Sequence, residues 1–325
     1  MNNHTPPYKI TSKILKLSTQ ISEELTKHQF TGVEKVNPML RKKNRIKTLA
    51  GTLEIEGNFL GEEKITAILD GKRVLGTTKE IAEVNGAIKA YEKLDLYRFD
   101  ELEDLLLAHK ILMNDILTTA GNFRNVNVKV GEHIAPKPSR VNDLMTNLFS
   151  WLKNSDEHLL LKSCIFHYEF EFIHPFSDGN GRIGRLWQSV ILNQFNPLFS
   201  LMPTESIVKD HQEEYYSAIV NSTAQGESTP FIEFMLEMIL ISMQNLINEN
   251  VPKNVPKNVP LKRLDKIVEI MRENRDITII ELANILEVAD KTIKRDVAKL
   301  KEQNRLKRVG SLKSGYWEVE EEIDG

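Results

Sequence analysis

His174, Asp178, Arg182 and Arg185 fall in one short segment, HPFSDGNGRIGR (174–185), and together they have the makings of phosphate chemistry. Asp178-Gly179-Asn180-Gly181 is too rich in glycine for a helix interior, whereas RIGRLWQSVILNQF continues at helical period. A loop therefore runs into a helix N-terminus. Amides left without partners at such a terminus, approached closely through glycine, form a cradle for phosphate. Arg182 and Arg185, three apart, project from one side of the first turn, and two guanidinium groups there can hold a polyphosphate bidentately. Asp178 offers a hard oxygen to Mg²⁺, which takes one or two carboxylates plus phosphate oxygens. His174 can take a proton from an incoming hydroxyl, and Phe176 anchors the loop in the core. Gly179, Gly181 and Gly184 also make a formal GxGxxG, but no strand or βαβ unit precedes it, so it is no dinucleotide fingerprint. Each of these residues alone is ordinary turn chemistry or a solvated face. Their combination points to catalysis.

Helices must position this segment. Apolar spacing near 3.6 predicts them over 81–94, 102–117, 141–154 and 158–173, with a shorter one over 63–72 closed by Gly71. The exception is FRNVNVKVGEHIAP (123–136), where Val126, Val128 and Val130 alternate with polar residues before Gly131, a short β-hairpin signal. His167, on an apolar helix, reads as a core histidine, and the single cysteine, Cys164, as a buried small hydrophobe.

The segment 174–185 carries every fixed position of HxFx(D/E)GNGRxxR, and the chain resembles the Fic family on that ground, over roughly residues 40–245. The resemblance implies a mainly α fold, a helical core with a β-hairpin flap, and the transfer of AMP from Mg-ATP to a Ser, Thr or Tyr hydroxyl of a protein. It implies that His174 is the general base and that Asp178 holds Mg²⁺. Gly179, Asn180 and Gly181 then serve the α- and β-phosphates, and Arg182 and Arg185 the β- and γ-phosphates, with Ile183 and Gly184 in the same ATP-binding turn. The hairpin residues Val130, Gly131, Glu132, His133 and Ile134 would be the flap that aligns a target segment by strand addition. Tyr215 and Tyr216 resemble the family's tyrosines near the adenine, with ordinary packing as the alternative.

The family also has an inhibitory motif, (S/T)xxxE(G/N). Thr52, Glu56 and Gly57 fit it upstream of the core, so the resemblance implies a built-in brake. Glu56 paired with Arg185 would occupy the arginine meant for the γ-phosphate and leave ATP misplaced for in-line attack. Glu54, two residues away, would face another side of a helix.

Residues 251–260 are a Val-Pro-Lys-Asn repeat, an extended spacer in which proline denies helix. Helical periods at 261–274, 277–288 and 291–305, then two short strands, predict a winged helix-turn-helix over 261–325. Between Lys291 and Lys313 nine Lys/Arg face two acids, the footprint expected of a DNA-reading helix and wing. Over 261–325 basic and acidic residues balance at 14 each, so a protein contact is the competing use. The expected divisions are an N-terminal helical region 1–100, a catalytic core 101–248, a linker 249–260 and the winged helix 261–325.

The whole chain of 325 residues, at net charge −3 with 43 basic against 46 acidic residues, is no general nucleic-acid binder. The N-terminus lacks a signal pattern, and the most apolar stretch, 231–243, is broken by Glu233 and Glu237 and too short for a bilayer. A cytoplasmic protein with no membrane partner is expected, and a homodimer is compatible with the sequence. Two other functions stay open: a nucleotide-sensing transcription regulator working through the winged helix, and AMP removal with Glu56 activating water.

Overall fold

The computed structural model describes residues 5–30, 38–130, 133–250, 261–286, 288–303, 305–309 and 316–319. The linker repeat 251–260, the flap tip Gly131 and Glu132, and the turn between the last two strands lie outside them. The chain forms two compact units, Met1–Asn250 and Val251–Gly325.

The first unit is helical: α1 (Ser12–Phe30), α2 (Pro38–Ile55), α3 (Gly61–Leu69), α4 (Thr78–Tyr91), α5 (Leu102–Met113), α6 (Pro138–Asn154), α7 (Leu159–Ile173), α8 (Asn180–Phe195), α9 (Thr204–Asp210), α10 (Gln212–Gln225) and α11 (Thr229–Asn250). Its axis is α7 with α8. LLLKSCIFHYEFEFI is apolar nearly all round, which suits a helix covered on every side, and α7 is packed by α6, α8 and α11. Phe166, Phe170, Phe176, Trp187 and Phe231 are fully buried there, and Trp187 Nε1 donates to the Phe99 carbonyl at 2.9 Å. Thr77 and Glu80 start α4 with a reciprocal capping box. Gly71, at φ 73°, follows α3 with its amide bonded to the Ile68 carbonyl.

Residues before 100 and after it are built together, because α1 packs on α11 and α2 on α9. Thr11 Oγ1 donates to Glu233 at 2.6 Å, and Lys13 pairs with Glu237 at 2.9 Å. The two acids that interrupt the apolar stretch thus face α1. Among the described residues no helix is long and apolar enough to cross a membrane.

Two findings differ from the sequence expectation. The helix expected over 102–117 stops at Met113, where tight turns take over: both Ile116 and Leu117 amides bond the Met113 carbonyl. The alternating valines make only a short hairpin, β1 (Lys129–Val130) with β2 (His133–Ile134), paired Lys129 to Ile134 and Val130 to His133. With no third strand beside it among the described residues, the pattern before Val128 has no partner there, and Val126 is half-exposed.

The second unit contains α12 (Leu261–Glu273), α13 (Ile279–Ile285) and α14 (Asp290–Glu302), then β3 (Leu306–Val309) antiparallel to β4 (Tyr316–Val319). Thr278 and Glu281 cap α13 reciprocally. Its small core gathers Ile267, Met271, Leu282, Ile293, Leu300 and Trp317. Lys291, Lys294, Arg295 and Lys301 on α14 and Lys307 on β3 are exposed, whereas Asp296 is buried.

Candidate active site

The chain leaves α7 through His174, the one non-glycine residue at positive φ (51°) among those described. Left-handed backbone costs an L-residue about 1–2 kcal/mol, and the surroundings hold it there. The His174 amide bonds the Phe170 carbonyl at 2.9 Å. Arg124, buried at 4% exposure, acts as a staple: Nε donates to the His174 carbonyl at 2.7 Å and Nη2 to Ile173 at 3.3 Å. The same guanidinium donates to the carbonyls of Val126 at 2.8 Å and Pro136 at 2.6 Å. One side chain therefore ties both feet of the hairpin to the turn that carries His174.

The loop after it is pinned from below. Phe176 is fully buried and stacks on His109, ring centroids 3.6 Å apart. Asn180 closes the loop on itself, its Oδ1 accepting from the Phe176 amide and its Nδ2 donating to the Phe176 carbonyl, both at 2.9 Å. His109 Nδ1 accepts from the Gly121 amide at 2.9 Å, so Nε2 carries the proton donated to the Asp178 carbonyl at 3.0 Å. Burial pushes the His109 pKa down to about 4, which keeps the ring neutral in this role. Gly179, at φ 83°, is the N-cap of α8; a Cβ there would lie 2.7 Å from Met113 Sδ.

Helix α8 begins with no side-chain cap. Its first intrahelical bond runs from the Ile183 amide to the Gly179 carbonyl at 3.0 Å, so the amides of Asn180, Gly181 and Arg182 precede the ladder. A carboxylate lies beside this first turn: a Cβ on Gly181 would overlap Glu56 Oε1. Glu56 follows the last turn of α2, where the Gly57 amide closes on the Glu54 carbonyl with Gly57 at φ 84°. Its carboxylate accepts from Arg185 Nη2 at 2.6 Å, while Arg185 Nε donates to Thr52 Oγ1 at 3.0 Å and Nη2 to the Thr52 carbonyl at 3.2 Å. Burial would lower the Arg185 pKa, and the Glu56 charge outweighs it, so the net direction is up. Glu54 faces the other side and pairs with Lys209 at 3.0 Å.

Arg182 is equally committed. It donates to Glu83 on α4 at 3.1 Å and to Asp178 Oδ1 at 3.2 Å, and Glu83 in turn accepts from Asn58 Nδ2 at 2.8 Å. Asp178 stays open to solvent on one side, its side chain 46% exposed. One exposed carboxylate oxygen set suits an ion that draws its remaining ligands from phosphate and water; among the described residues no group of three or more His, Cys, Asp or Glu forms a cage by itself.

The structure thus brings together Thr52, Glu56, Gly57, His174, Asp178, Gly179, Asn180, Gly181, Arg182 and Arg185. It sets others apart. Ile183 has its amide in the helix ladder and its side chain fully buried, and Gly184 faces α7, where a Cβ would lie 2.9 Å from Glu171 Oε1. Neither faces the cradle. Tyr215 is buried and its hydroxyl donates to His167 Nε2 at 3.2 Å; of the two tyrosines Tyr216 presents its ring to solvent. Ile134 of the hairpin is exposed. His167 is fully buried, its Nδ1 bonded to Gln188 Oε1 at 2.7 Å and its pKa pushed by burial down to about 3. Cys164 is buried too, with burial raising the thiol to about 12.

Sequence reasoning passed over Glu83, His109, Arg124 and Glu171. The available signal was a polar residue at an apolar position of a helical period, as in LLLAHKILM for His109 and FHYEFEFI for Glu171.

A helix N-terminus with a carboxylate beside its first turn, a histidine in the loop before it and two buried arginines makes a candidate anion site. Comparison with known proteins supplies the family. The Fic/DOC family model matches residues 99–192, and a DeoR-like helix-turn-helix domain matches residues 263–311. A crystal structure of a Fic family protein from Desulfovibrio desulfuricans G20 is 34% identical and superposes with a TM-score of 0.74, covering 99% of this chain and 100% of that one. The chain belongs to the Fic family. It is 30% identical over 195 residues to the protein adenylyltransferase Fic of Culex quinquefasciatus, covering 56% of this chain and 38% of that protein. The corresponding protein of Aedes aegypti is 27% identical over 245 residues, at 68% and 48% coverage. The chain therefore spans less than half the length of these two relatives.

Proposed function

We propose that this protein transfers AMP from Mg-ATP to a Ser, Thr or Tyr hydroxyl of a protein target, and that Glu56 holds the site off. One observation carries the reading. Arg185, on the first turns of an α8 that starts without a side-chain cap, pairs with the Glu56 carboxylate at 2.6 Å beside the open face of Gly181, in the segment that also carries His174 and Arg182.

His174 takes the proton of the target hydroxyl as its oxygen attacks the α-phosphorus. The bond from that phosphorus to the oxygen bridging the α- and β-phosphates breaks, and pyrophosphate leaves. The Asn180, Gly181 and Arg182 amides stabilise phosphate charge at the helix N-terminus, and Arg182 and Arg185 hold the outer phosphates once released from Glu83 and Glu56. Magnesium, when bound at Asp178, neutralises phosphate charge. The strands Lys129–Val130 and His133–Ile134, whose flanks Arg124 ties to the turn that carries His174, would offer the target a strand edge. The names of the curated relatives support AMP as the group transferred.

The test uses ATP labelled at the α- or the γ-phosphate. Label from the α position, lost by about 10²–10⁴-fold in His174→Ala, is the expected result. Label from the γ position, or undiminished transfer by His174→Ala, refutes it. A second reading rests on the helix-turn-helix match and the exposed bases of α14: the winged helix binds DNA, and its protein-contact alternative predicts no salt-dependent affinity for duplex.

A further inference from the structure

One turn before His174, α7 carries a buried acid that the chemistry above does not use. Glu171 Oε2 lies 3.8 Å from the buried Nδ1 of His174, and Oε1 lies 4.0 Å from His167 Nε2. Glu171 Oε1 has no hydrogen-bond partner among the described residues. A buried carboxyl oxygen without a partner is costly, and proteins retain few of them. Its neighbour is already satisfied: His167 donates from Nδ1 to Gln188 and accepts at Nε2 from Tyr215. The opposite wall has been cleared for this acid. Gly184 sits in the interior of α8, where glycine costs about 1 kcal/mol relative to alanine, and any Cβ there would press on Glu171 Oε1 at 2.9 Å.

We propose that Glu171 is a positioning residue for His174: its carboxylate accepts a hydrogen bond from Nδ1–H, so that Nε2 keeps the lone pair that takes the proton of the target hydroxyl. The inference rests on the AMP-transfer reading above. A shift of about 1 Å closes the present gap to hydrogen-bond length. An acid that fixes the tautomer of a general base and faces the imidazolium as it forms is a general device of hydroxyl activation. Among the described residues the charged and titratable groups facing Glu171 are His167 on its own helix, His174 at that helix's C-cap, Arg185 on α8, Glu56 beyond α2 and Tyr215 on α10. Burial raises the Glu171 pKa to about 8, with Arg185 pulling it down and Glu56 pushing it up. A neutral acid gives an imidazolium no counter-charge, so the rate gains a rising limb on the alkaline side of neutrality.

The experiment measures kcat and KM for ATP against pH in a Glu56→Gly background, with Glu171→Gln and Glu171→Leu added. Glu171→Leu is expected to cut kcat by about tenfold or more with KM for ATP unchanged. Glu171→Gln, which still accepts from Nδ1–H, restores part of the rate and lacks the alkaline limb. Parental kcat in the leucine variant, or a parental limb in the glutamine variant, overturns the proposal. If the leucine variant does not fold, the glutamine profile decides. If Glu56→Gly itself transfers no AMP, the wider reading fails, and nitrogen NMR of His174 still decides this one. A protonated Nδ1 in the parent at alkaline pH that is lost in Glu171→Leu supports it; an unchanged tautomer overturns it.

Discussion

Replacing Glu56 by glycine removes the carboxylate from the α8 N-terminus and leaves Arg185 buried without it. The pair is short, 2.6 Å, with Arg185 almost wholly buried and the Glu56 side chain 30% exposed. A charge-assisted hydrogen bond of this kind contributes about 1.5–3 kcal/mol. ATP must displace it before its outer phosphate can reach Arg185, and each 1.36 kcal/mol is a factor of ten. Glu56→Gly should therefore raise AMP transfer by roughly 10- to 150-fold. The same change should lower the Tm of the nucleotide-free protein, because an uncompensated buried guanidinium is destabilising. Mg-ATP should recover more of that loss in the variant than it adds to the parent, since binding to the folded state alone stabilises it. Incorporation of α-labelled ATP and thermal melts with and without nucleotide measure both effects. A variant that binds ATP yet transfers no faster than the parent would refute the assignment of Glu56 as the brake.

Other perturbations follow from the same contacts. Arg124→Lys keeps the charge but replaces a fork serving four carbonyls with one ammonium, at a cost of about 1–3 kcal/mol; melting should fall and transfer to a protein target weaken while ATP binding persists. Full transfer at the parental Tm contradicts the stapling role. Burial raises Glu169 to about 7 and Glu171 to about 8, against 4.5 for either side chain unperturbed. Between those values the folded state holds protons the unfolded chain has released, so this stability is complete below pH 4.5 and lost as pH rises toward 8. Glu171→Gln should reduce that loss by up to about 1.4 kcal/mol per pH unit, read from urea midpoints against the parent. For the winged helix, duplex affinity of the full chain should fall steeply with salt, and Lys294→Glu with Arg295→Glu should shrink the log–log slope by about two phosphate contacts. A flat response rules against DNA.

The segment 174–185 was legible because its chemistry is local: glycines that open a helix end and arginines one turn apart announce their geometry in twelve consecutive letters. The winged helix was legible for a similar reason, since capping residues and periodic apolar spacing are short-range signals. What escaped was long-range. Glu83 meets Arg182 across ninety-nine residues, and Arg124 meets the His174 carbonyl across fifty. In the sequence each is one polar letter in a helix or loop, and nothing beside it names its partner. The side to which Ile183 and Gly184 turn escaped for the converse reason. Membership in a motif says nothing about which side of the helix a residue takes, and Glu171, for which Gly184 leaves space, lies on another helix.

Gly181 bears on how such a site can change over time. On the proposed reading, the open face that would let a phosphate approach the backbone is the same face on which the Glu56 carboxylate rests. A side chain large enough to exclude the inhibitor would exclude the nucleotide with it. On that reading, variants that keep transfer activity would escape control by changing α2 and the turn after it rather than the start of α8. Regulation and catalysis would then share one position, and selection for one would preserve susceptibility to the other.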